Sequence, residues 1–371
     1  MAEFHVGMVP AGAFEEPGAR EADMRYTDVC IEAISYVLPE RRVTTAAIER
    51  LLRPVYERLN LPEGRLELMT GIRERRFWKK GVLPSQVSAE AGRRAIEKAR
   101  LAPEEIGCLL HCSVSRDFVE PATSTAVHRL LKLPSYALNF DISNACLGVM
   151  TGMMMLANMI QLGQVESGLV VAGENGGPLV EGTIEQLIRD ATLTRRSIKD
   201  QIASLTIGSV ATAVLMRHAS KSRQGHRVLG AAHYADTAQN HLCRGGADMG
   251  MDGRNCPVMH TDSNELLLRG VEAAAKTWER VKKVLGWTNE TPDAVCGHQV
   301  GKSHRAALLE RLGLDPSKDF STFEFLGNCG AASMPVTAAM AEEAGHLHKG
   351  DKVVLMGIGS GINCAMLGVE W

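Results

Sequence analysis

Between residues 139 and 161 the chain runs from a short alternating stretch, Asn139-Phe140-Asp141-Ile142-Ser143, through Asn144-Ala145-Cys146 into a segment that is apolar on every side: Leu147, Val149, Met150, Met153, Met154, Met155, Leu156, Met159 and Ile160. The pattern predicts a strand that turns directly into a helix buried at the centre of a large core. At about 15 residues that helix is too short for a bilayer, which takes roughly 20. Elsewhere strand and helix periodicities alternate. Residues 26–38 read as a strand ending at Pro39, residues 85–99 carry helical spacing through Val87, Ala91, Ala95 and Ile96, and 106–113 is again a strand. Past the central helix, closed by Gly163, come a buried strand over 168–174, a polar, helix-prone stretch over 175–203 with no clear apolar face, read as an insertion or cap, and a strand over 204–216. Helix followed by strand is the beat of an α/β protein.

The second half repeats this order. Residues 266–285 form an amphipathic helix through Leu266, Leu267, Val271, Ala274, Trp278, Val281 and Leu285, and 293–298 is a strand. Asn328-Cys329-Gly330 opens a helix as Asn144-Ala145-Cys146 does, and 351–357 matches 168–173. One offset of roughly 185 residues relates all these pairs, which points to duplication of a whole α/β unit rather than to a solenoid. The expected organisation is a tail over 1–25, one half over 26–220 and a second half over 221–371. A pseudo-twofold relation would bring the N-termini of the two central helices together.

Composition narrows the class. A net charge of −2 over 371 residues offers no basic excess for nucleic acid, and neither a spanning run nor a secretory leader is present, so a soluble, cytoplasmic protein is expected. Nine cysteines, an odd number scattered through strands and helices, fit reduced thiols better than disulfides. Cys108-Leu109-Leu110-His111-Cys112 alternates as a strand without a second ligand pair, so no metal site is expected.

A cysteine at a helix start meets free backbone N–H groups and the positive end of the dipole, which favours the thiolate and makes Cys146 the candidate nucleophile. Alone, the residue reads better as one more inert buried cysteine. The duplication adds His298, in Gly297-His298-Gln299 at a strand end, and Asn328 at the second helix start. A neutral imidazole N–H and an amide N–H aimed at one point stabilise a carbonyl oxygen whose α-carbon is becoming a carbanion. In Gly357-Ile358-Gly359-Ser360-Gly361 the chain passes close to something, and the backbone N–H groups of Ser360 and Cys146 can form an oxyanion hole. A dinucleotide loop is not expected, since only ten residues follow Gly361 where a helix, a strand and an acidic residue are needed.

Together with Thr70-Gly71-Ile72-Arg73-Glu74-Arg75-Arg76 and Gly327-Asn328 ahead of Ser333-Met334-Pro335, these motifs carry a family likeness. The sequence resembles the thiolase-fold condensing enzymes of the β-ketoacyl-ACP synthase III type over nearly everything after residue 25. The resemblance implies a homodimer with an α/β thiolase fold of five layers, α-β-α-β-α, built from two duplicated halves. It also implies a Cys146–His298–Asn328 site acting on coenzyme A thioesters with no cofactor or metal, and substrate contacts at Gly330, Gly359 and Gly361. The loop over 113–124 is similar to that of the OleA-type acyl-CoA condensing enzymes of bacterial olefin biosynthesis, as are Cys243-Arg244-Gly245 and the C-terminal residues. In that subfamily a glutamate at the position of Glu120 reaches the neighbouring subunit's active site. Without the likeness, Glu120 is an exposed loop charge before a proline.

The implied reaction is a non-decarboxylative Claisen condensation. Cys146 takes an acyl group from one acyl-CoA, Glu120 deprotonates the α-carbon of another, and a 2-alkyl-3-ketoacyl-CoA results. Two further readings stay open: a decarboxylating synthase using malonyl-ACP, in which Glu120 is incidental, and a non-catalytic partner subunit. Departures bear on delivery. Where typical synthases carry a Trp and an Arg that grip adenine, this chain has Leu66-Glu67-Leu68-Met69, so the grip differs and an acyl carrier protein stays open as donor. Cys329-Gly330-Ala331 replaces Thr-Ser-Ala, and the smaller Gly330 is expected to widen the pocket. The methionine-rich helix offers either adaptable surface for long acyl chains or plain core packing.

Overall fold

The computed structural model describes residues 24–245 and 259–371. The expected tail, 1–25, lies outside the described residues except for Met24–Arg25, a short strand paired with Ala231 and Gly230.

The first half contributes the strands Val29–Val37 (β1), Cys108–His111 (β2), Leu138–Asp141 (β3), Ser167–Glu174 (β4) and Val210–His218 (β5). β2 runs parallel to β3 and β4, and β5 runs antiparallel to β4 and β1. The second half contributes His226–Ala235 (β6), Ala294–Gly297 (β7), Asp319–Phe320 (β8), Lys352–Gly359 (β9) and Asn363–Glu370 (β10). Here β7 is parallel to β8 and β9, and β10 is antiparallel to β9 and β6. The strand order β8-β7-β9-β10-β6-β1-β5-β4-β2-β3 is therefore one five-strand order written twice, joined where β1 and β6 pair through Cys30–Arg227 and Ile31–His226.

Helices Pro84–Ala99 (α1) and Thr123–Leu131 (α2) cover the outer face of the first half, Gly148–Gln161 (α3) follows β3, and Gly177–Arg189 (α4) follows β4. Ser263–Leu285 (α5) lies on β6 and β10, Lys302–Leu312 (α6) packs on α5, and Ser333–Glu343 (α7) is the counterpart of α3. Both α3 and α7 touch strands of both halves, which makes them the middle of five layers. Met150, Met153, Leu156 and Ile160 of α3 are almost wholly buried, each worth about 1.5–3 kcal/mol of transfer free energy. The start of α3 can sink onto the end of β2 because residue 148 is glycine: a Cβ there would lie 2.3 Å from the Cys112 carbonyl oxygen.

The stretch over 175–203 does have an apolar face. Val180, Ile184 and Leu187 of α4, with Leu193 and Ile198, pack against Ile48, Leu52, Val55, Tyr56 and Leu66 in a separate small core. Glycine and threonine complete the buried side of α4, which hid its periodicity. The strand expected from residue 204 begins only at Val210, because Ile202–Leu205 is a helical turn.

Candidate active site

β3 leads into a 3₁₀ turn, Ala145–Leu147, from which α3 starts at Gly148. Ala145, with φ of 45°, occupies the left-handed region, which costs a non-glycine residue roughly 1–2 kcal/mol. Asn144 braces this geometry. Its Nδ2 donates to Thr151 Oγ1 at 2.9 Å, and its Oδ1 accepts from Asn363 Nδ2 at 3.0 Å. The glycine-rich loop after β9 packs directly on the turn: a Cβ at Gly359 would lie 3.0 Å from the Asn144 carbonyl oxygen and 3.2 Å from Leu147 N. Gly361, with φ of 139°, closes the loop after the partly exposed Ser360. On its other side the Cys146 turn meets the Gly330–Ala332 turn that opens α7.

Asn328 is clamped through its backbone, its N–H donating to Thr206 O at 3.0 Å and its carbonyl accepting from Gly208 N at 2.8 Å. Its side-chain Oδ1 accepts from Gly330 N at 3.0 Å, so Nδ2, which has no partner among the described residues, is the end left to donate. His298 follows β7 and donates its backbone N–H to Met356 O at 2.9 Å, one residue before the glycine-rich loop. Burial, helped by neighbouring His304, pushes the His298 imidazole down to about 3, so it is neutral at physiological pH. His304, on the first turn of α6 and itself pushed down to about 4 by burial, was not singled out from sequence because nothing in the spacing relates the two rings.

Cys146 departs from its expected charge state. It is only partly exposed and lies deep among protein atoms, and this burial, followed by the nearby Glu174 and Cys243, pushes its thiol up to about 12. The resting side chain of this candidate nucleophile is a thiol, not a dipole-stabilised thiolate. Iodoacetamide labelling of Cys146, read by peptide mass spectrometry, is therefore expected to accelerate about tenfold per pH unit between about pH 7 and 10 without levelling off. A plateau near neutral pH would mean that the thiolate is already formed.

Gly330, with φ of 55°, faces Glu174: a Cβ there would lie 3.1 Å from the carboxylate, so the glycine makes room for that group. Glu120 stands apart from Cys146, His298 and Asn328. It is exposed on the loop between β2 and α2, beside Phe118 at 60 % and Val119 at 71 % exposure. On the small cap, Arg65, Arg195, Arg196 and Lys199 line an open groove with Asn60, Leu61 and Pro62. Among the described residues no helix is long and apolar enough to cross a membrane, no cluster of His, Cys, Asp and Glu could hold a metal ion, and the eight cysteines are free thiols.

The doubled sheet, the middle helices and a Cys146 turn meeting an Asn328 turn define a thiolase-fold condensing enzyme. Residues 68–224 match the family described as "Thiolase, N-terminal domain" and residues 283–371 match "3-Oxoacyl-[acyl-carrier-protein (ACP)] synthase III C terminal". The chain is 38% identical over 351 residues to the acyl-CoA:acyl-CoA alkyltransferase of Shewanella oneidensis, covering 94% of this chain and 100% of that protein. It is 35% identical over 348 residues to the Xanthomonas campestris protein of the same name, again with 94% and 100% covered. A β-ketoacyl-[acyl-carrier-protein] synthase III of Bacillus cereus is 27% identical over 345 residues, with 93% and 99% covered. Among solved structures, a cysteine-to-serine variant of Xanthomonas campestris OleA with bound lauric acid and lauroyl-CoA superposes with a TM-score of 0.88 at 35% identity, over 93% of this chain and 100% of that one. The chain belongs to the acyl-CoA:acyl-CoA alkyltransferase family.

Proposed function

We propose that this enzyme joins two acyl-CoA thioesters head to head by a non-decarboxylative Claisen condensation through an acyl-Cys146 intermediate. The observation that carries the reading is a pair of uncharged donors flanking the Cys146 turn: the oriented Asn328 amide beside the Gly330–Ala332 turn that meets it, and the neutral His298 imidazole beside the strand whose glycine-rich end packs on it. Identity of 35–38% to the alkyltransferases, against 27% to a β-ketoacyl-[acyl-carrier-protein] synthase III, supports the choice of reaction.

In the first half-reaction Cys146 Sγ attacks the thioester carbonyl, whose oxyanion is held by the backbone N–H groups of Cys146 and Ser360. The C–S bond to CoA breaks, and CoA leaves with the proton given up by the Cys146 thiol. In the second, Glu120 of the partner subunit's loop removes an α-proton from another acyl-CoA. The enolate oxygen accepts from His298 Nε2–H and Asn328 Nδ2–H. The α-carbon then attacks the acyl-Cys146 carbonyl, and the released thiolate takes up the proton held by Glu120. The chemistry calls for no cofactor beyond the thioesters, and the free thiols suit the cytoplasm.

A homodimer is part of this reading. Exposed Val114 and Phe118, with Leu138 and Phe140 of edge strand β3, form an apolar face that a second copy would cover, placing Glu120 against the neighbour. Thr123 and Ser124 bind the loop to β3 through the Asp141 carboxylate at 2.9 and 2.8 Å. The basic groove on the cap supports a polyanionic donor, the phosphorylated end of CoA first and an acidic carrier protein second.

The test is mass spectrometry of the protein incubated with a long-chain acyl-CoA alone. The expected result is a thioester adduct on Cys146 and a condensed 3-keto product with no malonyl donor. Product only after malonyl-ACP is added would make the enzyme a decarboxylating synthase. No adduct from any acyl donor would make it a non-catalytic subunit.

A further inference from the structure

Glu174, the last residue of β4, is a buried carboxylate that the reaction above does not use. It is 4 % exposed, and all its side-chain hydrogen-bond partners are uncharged. Oε1 accepts from Val114 N at 2.9 Å and from Ala331 N at 3.2 Å, while Oε2 accepts from Ser115 N and Ser115 Oγ, each at 3.1 Å. The two oxygens thus grip the base of the loop that carries Glu120 and, at the same time, the turn that carries Asn328. Its own backbone is fixed by Trp78 Nε1, which donates to Glu174 O at 2.9 Å. The fit is close, because a Cβ at position 330 would lie 3.1 Å from this carboxylate and push on it by a few tenths of an ångström. Burial pushes the carboxyl upward, and the four donors oppose that shift without cancelling it.

We propose that Glu174 is a positioning residue for the second half-reaction: it holds the loop of Glu120 and the turn of Asn328 in one fixed relation. Both held groups act only in condensation, whereas acyl transfer to Cys146 uses the Cys146 turn and the Ser360 loop. Because Glu120 serves the neighbouring site, the same carboxylate couples the enolate donor of one site to the base of the other. This inference rests on the reading of the function given above.

The experiment compares Glu174→Gln, Glu174→Ala and Gly330→Ala with the unsubstituted protein. Three readouts are taken: Cys146 acylation by a long-chain acyl-CoA, formation of condensed product, and amide hydrogen exchange over residues 113–123 and 328–333. An amide at 174 keeps one acceptor oxygen and turns N–H groups against backbone donors; alanine at 330 pushes on the carboxylate without removing it. Misplacing reacting groups by about 1 Å costs on the order of 100-fold, so Glu174→Ala is expected to lower condensation by about that factor with acylation changed less than about threefold. Glu174→Gln and Gly330→Ala should fall between, and hydrogen exchange should quicken in both segments together.

Acylation and condensation falling in step would overturn the proposal and leave Glu174 a residue of general stability, as would an unchanged ratio of the two. If the unsubstituted protein makes no condensed product from acyl-CoA alone, the reading of the reaction fails, and exchange then decides the clasp separately. Faster exchange in both segments keeps it, and unchanged exchange rejects it.

Discussion

Replacing Glu120 by alanine is expected to abolish condensation while leaving Cys146 able to take an acyl group. The α-proton of an ordinary thioester is only weakly acidic, and a positioned general base contributes roughly 10²–10⁴-fold, so condensed product should fall by that order. Glu174 does not stand ready to replace it, being buried with both oxygens occupied by donors. The exposed position of Glu120 in a single chain gives the test a second arm. Homodimers of Glu120→Ala and of Cys146→Ala should each be inactive in condensation. Mixed dimers should regain activity, because one site per dimer then combines an intact Cys146 with the intact Glu120 of its neighbour. Loss of acylation along with condensation would make Glu120 structural, and failure of mixed dimers to recover would place the base within its own chain.

Much of this arrangement was legible in the sequence because the duplication spaces its parts regularly. Cys146 and Asn328 occupy matching helix starts, His298 follows a strand equivalent to the one before the Glu120 loop, and the doubled strand order follows from the same repeat. What escaped lacked a local signature. Strand β6 carries Gly230, Ala231 and Ala232 where strands usually show β-branched residues; it is a strand because β10 pairs along it and β1 at its start, not because of its own propensity. Gly230 is small for a tertiary reason, since a Cβ there would lie 2.6 Å from Met24 O and 2.8 Å from Leu285 Cδ2.

Charge states were the least legible feature. The helix start at Cys146 argues for a thiolate, but burial and two acidic neighbours, Glu174 and the thiol of Cys243, argue more strongly for the thiol. One of them, Glu174, follows a glycine at the end of an apolar strand and offers no motif; its significance lies in the two segments it joins, which are more than 150 residues apart. A resting thiol at Cys146 and a neutral imidazole at His298 also fit the division of labour proposed here. The nucleophile need not be ionised before the thioester arrives, because the departing CoA can carry the proton away.

The sharpest test of the donor geometry is Asn328→Asp, which preserves shape and inverts one interaction. The carboxylate can still accept the Gly330 N–H that now binds Asn328 Oδ1 at 3.0 Å, so the turn should keep its shape, while a carboxyl that folding pushes upward lowers the melting temperature once it ionises. Its second oxygen, however, replaces the amide N–H with a negative charge facing the developing enolate. Removing one such donor costs about 10²–10³-fold, and the added charge pushes the loss toward the upper end of that range. Single-turnover condensation on pre-acylated Cys146 should show this fall, while formation of the acyl adduct changes little. A carboxyl among buried and like-charged groups titrates upward, and its protonated form regains an O–H donor, so the shortfall relative to the unsubstituted protein should narrow as the pH falls from about 8 to 6. His298, already neutral down to about 3, cannot be the source of such a trend. A shortfall that is constant with pH, or an undiminished rate, would remove Asn328 from the enolate site and leave His298 as its remaining donor.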